Sequence, residues 1–299
     1  MSLHRKCQRN MHNQPTRWAI FTPNRILMKL RFFTFIFSLF TVLAISAQDD
    51  DFGMDFTVGA EKKIRPGMSF GIESEARTQD NTRKIERWTL GGVFDMRLWQ
   101  NEKKTFSVKA SAGWKYMWLY NLGTTECKYG TSLDGDGNPV EYYKGYNEKK
   151  SYWRNRHRMS VSLGASYKPN KRWSYSLRET FQYTHFCKSE TTVDKYRLDD
   201  DDDMTMTTEP KEYAPKDLSM LRSKFTVQYN IRHCPVNPYA AVDYGCGLNY
   251  KDSKWKFTAG TDINVTKQHK FEVFYRYIKE HDSDDPTGHL LGLGYNFKF

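Results

Sequence analysis

Apolar residues recur at every second position through much of this chain of 299 residues. The final stretch shows the pattern most plainly. Leu291, Leu293, Tyr295, Phe297 and Phe299 are apolar, and Gly292, Gly294, Asn296 and Lys298 lie between them. Such alternation predicts a strand with one apolar and one polar face. A terminal strand in a soluble domain tends to fray, whereas a strand closing a membrane barrel keeps one face in lipid to its last residue.

Ten further segments alternate in the same way. Phe52, Met54, Phe56, Val58 and Ala60 mark the first, and a turn at Arg65-Pro66-Gly67 leads to Met68, Phe70 and Ile72. Trp88, Leu90, Phe94, Met96 and Leu98 mark the third. Phe106, Val108, Ala110, Ala112, Trp114, Tyr116 and Trp118 mark the fourth. The fifth carries Trp153, Met159, Val161, Leu163, Ala165 and Tyr167, and the sixth Trp173, Tyr175, Leu177, Phe181 and Tyr183. The remaining segments fall near 219–232, 238–249, 255–265, 270–280 and 289–299. Each is about ten residues or longer, as a tilted membrane strand requires. Short connections alternate with longer ones, of which 120–151 and 188–218 are the longest. The expected fold is all-β: a single antiparallel transmembrane β-barrel with short periplasmic turns and long outer loops. Eleven legible strands conflict with the even number usual for such barrels, so about 12 strands are expected, with 10 as the alternative.

The beginning of the chain carries a different signal. From Met28 it reads Lys29 and Arg31, an apolar run from Phe32 to Ile45, then Ser46-Ala47-Gln48. That is the charged, apolar and small-residue order of a secretory signal peptide over 28–47, and the apolar run is too short to span a bilayer as a helix. Residues 1–27 are polar and basic and read as an upstream extension, which leaves 48–299 as the barrel. The leader also changes the charge argument. The whole chain is formally +11, but residues 1–47 hold seven basic residues and no acidic one. Without them, 46 basic residues become 39 against 35 acidic, a net of +4. A nucleic-acid partner is not expected, because that reading requires a clustered basic face. Low hydropathy after the leader excludes a bundle of membrane helices.

Three stretches, GAEKKI, ERWTLGG and SYWRNRHRMSVSLGASYKPNKRWSYSLRETFQYTH, resemble a Bacteroidetes outer-membrane β-barrel family catalogued as domain of unknown function 2490. The resemblance implies a barrel in the cell outer membrane of a Gram-negative bacterium, and it transfers no catalytic residue. The last strand also resembles the C-terminal strand of bacterial outer-membrane proteins, which implies that Tyr295, Phe297 and Phe299 form an assembly signal read by the barrel-assembly machinery. Outer-membrane lipid and lipopolysaccharide are then the expected surroundings.

Charges of both signs occupy the polar faces. Glu73, Glu75 and Arg77 share one face, as do Arg87, Asp95 and Arg97. Lys109 and Lys115 follow, then Arg154, Arg156 and Arg158 at successive alternate positions, then Arg178, Arg222 and Lys224. Asp243, Asp262, Glu272 and Arg276 complete the set. An arginine ladder in a confined lumen attracts anions. Charges that pair and hold a narrow, plugged barrel closed are the favoured reading, since unpaired buried guanidinium groups are costly. The expected role is structural, or binding and transport of a small polar solute in a porin-like barrel. A lipid-modifying hydrolase with a rim active site is the alternative. Its candidate pieces are His157 near Ser160, which alternation puts on opposite faces, and His185 near Ser189.

No cofactor or metal is expected. Asp134-Gly-Asp136-Gly-Asn138 resembles the start of a calcium loop, but Pro139 stands where that loop needs glycine. The acidic run Asp199 to Asp203 reads as solvated. Cys127 and Cys187 are near enough in the expected loops for a bridge to be conceivable, with unpaired thiols favoured.

Overall fold

The computed structural model describes residues 51–136, 138–198, 203–250, 253–281 and 288–299; for Glu280 and His281 it describes the backbone alone. The leader expected at 28–47, the extension before it and most of the acidic run 199–203 lie outside the described residues. All described secondary structure is β, in fifteen strands. They are β1 (Asp51–Arg65), β2 (Met68–Gln79), β3 (Lys84–Gln100), β4 (Phe106–Asn121), β5 (Thr124–Leu133), β6 (Pro139–Lys149), β7 (Tyr152–Tyr167) and β8 (Trp173–Phe186). Then come β9 (Ser189–Leu198), β10 (Met204–Tyr213), β11 (Lys216–Tyr229), β12 (Val236–Gly247), β13 (Ser253–Asn264), β14 (His269–His281) and β15 (Gly288–Lys298).

Eleven strands close a barrel in the order β1-β15-β14-β13-β12-β11-β8-β7-β4-β3-β2. These are the eleven segments that alternate in the sequence, one fewer than the twelve expected. The odd count is accommodated at a single seam. β1 pairs with β15 in parallel, from Asp51↔Gly288 to Glu61↔Lys298, whereas every other barrel pair is antiparallel. The amide of Phe299 donates to the Glu61 carbonyl at 3.0 Å, and the amide of Lys63 donates to the Phe299 carbonyl at 3.3 Å. The terminal residue is therefore bonded into the seam.

Alternation sets the two faces. Trp114, Val161, Leu177, Phe257 and Leu293, each 42–61% exposed, point outward. Aromatic pairs ring the outward face at both ends. Near the short turns, Trp99 meets Phe106 at 5.8 Å, Trp173 meets Tyr229 at 4.8 Å and Phe271 meets Tyr295 at 5.0 Å. Near the long connections, Tyr116 meets Trp118 at 4.5 Å, Tyr120 meets Trp153 at 5.1 Å and Tyr244 meets Trp255 at 4.6 Å. From Phe106 to Tyr116, ten residues at about 3.3 Å each and a tilt of about 40° span about 25 Å along the barrel axis. The β1–β2 turn is closed by Pro66-Gly67, where Gly67 adopts φ +88°, the left-handed geometry that the third residue of a type II turn requires.

The two longest connections are more ordered than expected of loops. β5–β6 and β9–β10 are hairpins, and β6 pairs with β9, giving a four-stranded sheet in the order β10-β9-β6-β5. Asp134 accepts the amides of Asp136 (2.9 Å) and Asn138 (2.7 Å), so the calcium-like segment serves as a capped hairpin turn. Cys127, Cys187, Cys234 and Cys246 are free thiols.

Candidate functional site in the barrel lumen

Inward positions on β1, β2 and β3 bring together a knot of opposite charges. Arg77 reaches Asp55 at 3.2 Å, Glu75 at 3.8 Å and Glu86 at 3.6 Å, while Arg276 from β14 also reaches Asp55 at 3.6 Å. Arg87 binds Glu75 at 2.6 Å. The side chains of Asp55 and Arg77 are only 4% and 7% exposed, so each depends on the other for compensation. Around the rest of the wall, Lys115 pairs with Glu73 at 2.6 Å and Lys270 with Asp262 at 2.9 Å. Arg222 holds Asp243 through two hydrogen bonds, one from Nε at 3.2 Å and one from Nη2. Tyr239 donates to Glu272 at 2.5 Å.

The buried apolar side chains also face inward. Met117, Leu119, Phe186, Met220 and Leu290 come from strand ends near the long connections, and Ala241 and Phe274 lie deeper. The Phe274 ring occupies the space over Gly292, where any side chain would overlap it. Arg156 and Arg154 lay their guanidinium groups over Phe186, at 4.0 and 5.1 Å from the ring centre. These buried side chains gather at the long-connection end of the lumen. Toward the short turns, a cavity of about 290 Å³ is bordered by Glu61, Glu73, Asp95, Glu272, Lys270 and Lys298.

No family model matches the chain, and no curated protein does. Among solved structures, the chain is similar to the β domain of the Bordetella autotransporter BrkA, with 9% identity, a TM-score of 0.37, and coverage of 78% of this chain and 82% of that one. It is also similar to an anion-selective porin from Comamonas acidovorans, with 10% identity, a TM-score of 0.22, and coverage of 79% and 83%.

The geometry corrects one expected pairing. Pairing of the β7 arginines with carboxylates such as Glu73, Glu75 or Asp95 was expected, but Arg154 and Arg158 form no ion pair with any of these. Arg154 donates to the carbonyls of Cys187 (3.0 Å) and Ala214 (2.7 Å), and Arg158 donates to the Thr184 hydroxyl at 3.4 Å. The reason is distance around the wall. β2 and β7 are separated by β3 and β4, so Arg77, Arg87 and Lys115 reach the β2 carboxylates first. Asp95 instead accepts from Ser111 at 2.5 Å, and Arg97, at the short-turn end, donates to Gln100 at 3.0 Å. Asp55, the most buried member of the knot, carried no sequence signal because it stands as a single acid between the apolar Met54 and Phe56.

The rim histidines lie on the outward face. His185 pairs with Asp217 at 2.7 Å, and His157 packs on Trp114 and Tyr116 with ring separations of 6.0 and 4.8 Å. Among the described residues, no serine hydroxyl is hydrogen-bonded to either ring. Glu179 also faces outward, in line with Leu177 and Phe181, and accepts from Ser223 at 2.6 Å.

Proposed function

We propose that this chain is an outer-membrane β-barrel of a Gram-negative bacterium, of the Bacteroidetes family that its tryptophan- and arginine-rich hairpin resembles. In this reading its own side chains seal the lumen at the cell-surface end. One observation carries the reading: an apolar belt bounded by two aromatic rings encloses a lumen at whose long-connection end the inward side chains of Met117, Leu119, Phe186, Met220 and Leu290 are buried. Apolar surface of that extent is stable in lipid and unstable in water. The closed lumen supports a role in holding and displaying the four-stranded outer sheet, with a solute-accessible vestibule at the periplasmic end, in place of free diffusion through the wall. Phe299, bonded into the seam, supports the assembly role of the last strand. Purified protein in planar lipid bilayers tests the closure: the wild type should show no steady conductance steps, and stable porin-like channels would refute it.

A further inference from the structure

One row of paired residues runs half-way round the lumen: Arg97↔Lys109, Lys109↔Gly164, Gly164↔Arg178, Arg178↔Lys224, Lys224↔Asp243 and Asp243↔Lys256. All share the inward face. The row contains five cations and one carboxylate, and that carboxylate, Asp243, is held by Arg222. Among the described residues, no carboxylate lies within ion-pair distance of Lys109, Arg178 or Lys224. The acids nearest in sequence or register are engaged elsewhere. Asp95 accepts from Ser111, and Glu179 turns outward to Ser223. Strands β4, β7, β8 and β11 bring no inward carboxylate at all, and Asp55, Glu61, Glu73, Glu75 and Glu272 line the opposite wall on β1, β2 and β14.

We propose that Lys109, Arg178 and Lys224, flanked by Arg97, bind a small oxyanion of the phosphate or sulfate class carrying two or more charges. Neighbouring strands lie about 5 Å apart, so Arg178 and Lys224 flank one oxyanion group and Lys109 reaches a second about 10 Å away. Gly164 leaves the space between them clear, since a Cβ there would find its nearest neighbours only at 3.7–4.0 Å. A guanidinium supplies paired donors and an ammonium a point charge, the combination that holds phosphate-type groups. Lys109 and Arg178 are exposed within the lumen, so the ligand meets them without rearrangement. The proposal adds a ligand to the vestibule of the sealed barrel, but binding is measurable whether or not the lumen conducts.

Titration calorimetry of the detergent-solubilised full-length protein with inorganic pyrophosphate tests it. The wild type should bind saturably and more weakly as salt rises. Arg178→Gln/Lys224→Gln should weaken binding about tenfold or more. Gly164→Val, which keeps every charge, should weaken it as well, and Lys270→Gln on the opposite wall should not. In low-salt buffer without the anion, the double variant should melt no lower than the wild type, because it removes like-charge repulsion. Absence of saturable binding by the wild type, equal affinity in the double variant, or a lower melting temperature of that variant without anion would each overturn the proposal.

Discussion

At the scale of single residues, two environments dictate opposite chemistry across a strand one side chain thick. Val161 is 61% exposed on the apolar belt, so Val161→Arg should cost about 2–4 kcal/mol if it sits at mid-bilayer, read as a lower denaturant midpoint in detergent or liposomes. Glu179 shares that belt with only Ser223 as its partner. Glu179→Leu should therefore stabilise the barrel, by about 1 kcal/mol in the same assay. Inside, the requirement reverses. Asp55→Ala leaves Arg77 and Arg276 facing each other without their shared carboxylate, and should destabilise by about 3–5 kcal/mol. The inward or outward direction of nearly every residue was legible from alternation alone. The partner of each charge was not, because pairing depends on strand adjacency and on bulges such as the register shift at Arg77/Thr78.

At the scale of elements, the barrel strands were legible and the four-strand outer sheet was not. β5, β6, β9 and β10 have polar residues on both faces, so they lack the apolar stripe that reveals β4 or β15. Their order comes from pairing. Lys150 reaches Asp194 at 3.0 Å beside the β6–β9 junction, and the Thr208 hydroxyl donates to Asp194 at 2.7 Å. The bonds from Thr208 and Lys150 hold the Asp194 carboxyl below its ordinary value of 3.8, and the bond to Asp194 raises the Lys150 ammonium above 10.5. A lowered carboxyl stabilises above its ordinary value and loses that contribution as pH falls through the lowered one. A raised ammonium does so below its ordinary value and loses it as pH rises through the raised one. Amide exchange in β9 should therefore stay protected between these limits and loosen at the acid end, and Asp194→Asn should abolish that acid dependence. The last strand offers a second check. Deleting Phe299 removes two seam hydrogen bonds, and should reduce heat-modifiable, membrane-embedded protein while leaving export unchanged.

For the whole molecule, the proposed closure makes the apolar cap of Met117, Leu119, Phe186, Met220 and Leu290 the barrier to passage. Truncating Met117, Phe186 and Leu290 together to Ala should convert a silent bilayer recording into one with conductance steps, whereas removing Arg154, Arg156 and Arg158 should lower thermal stability with little change in conductance. A cap of this kind could not be foreseen from alternation, because its members stand on polar faces as isolated exceptions. The strand number was visible as eleven segments, yet the expectation of an even count hid its meaning. With an odd count, the first and last strands run side by side in the same direction. Asp51 therefore sits at the end of the long connections and Phe299 at the end of the short turns. In an even-stranded barrel the outer ends of the first and last strands lie on one side, but here they lie on opposite sides. With the barrel set in the outer membrane as proposed, an epitope placed just before Asp51 would be read by antibody on intact cells, and one placed after Phe299 only once that membrane is breached.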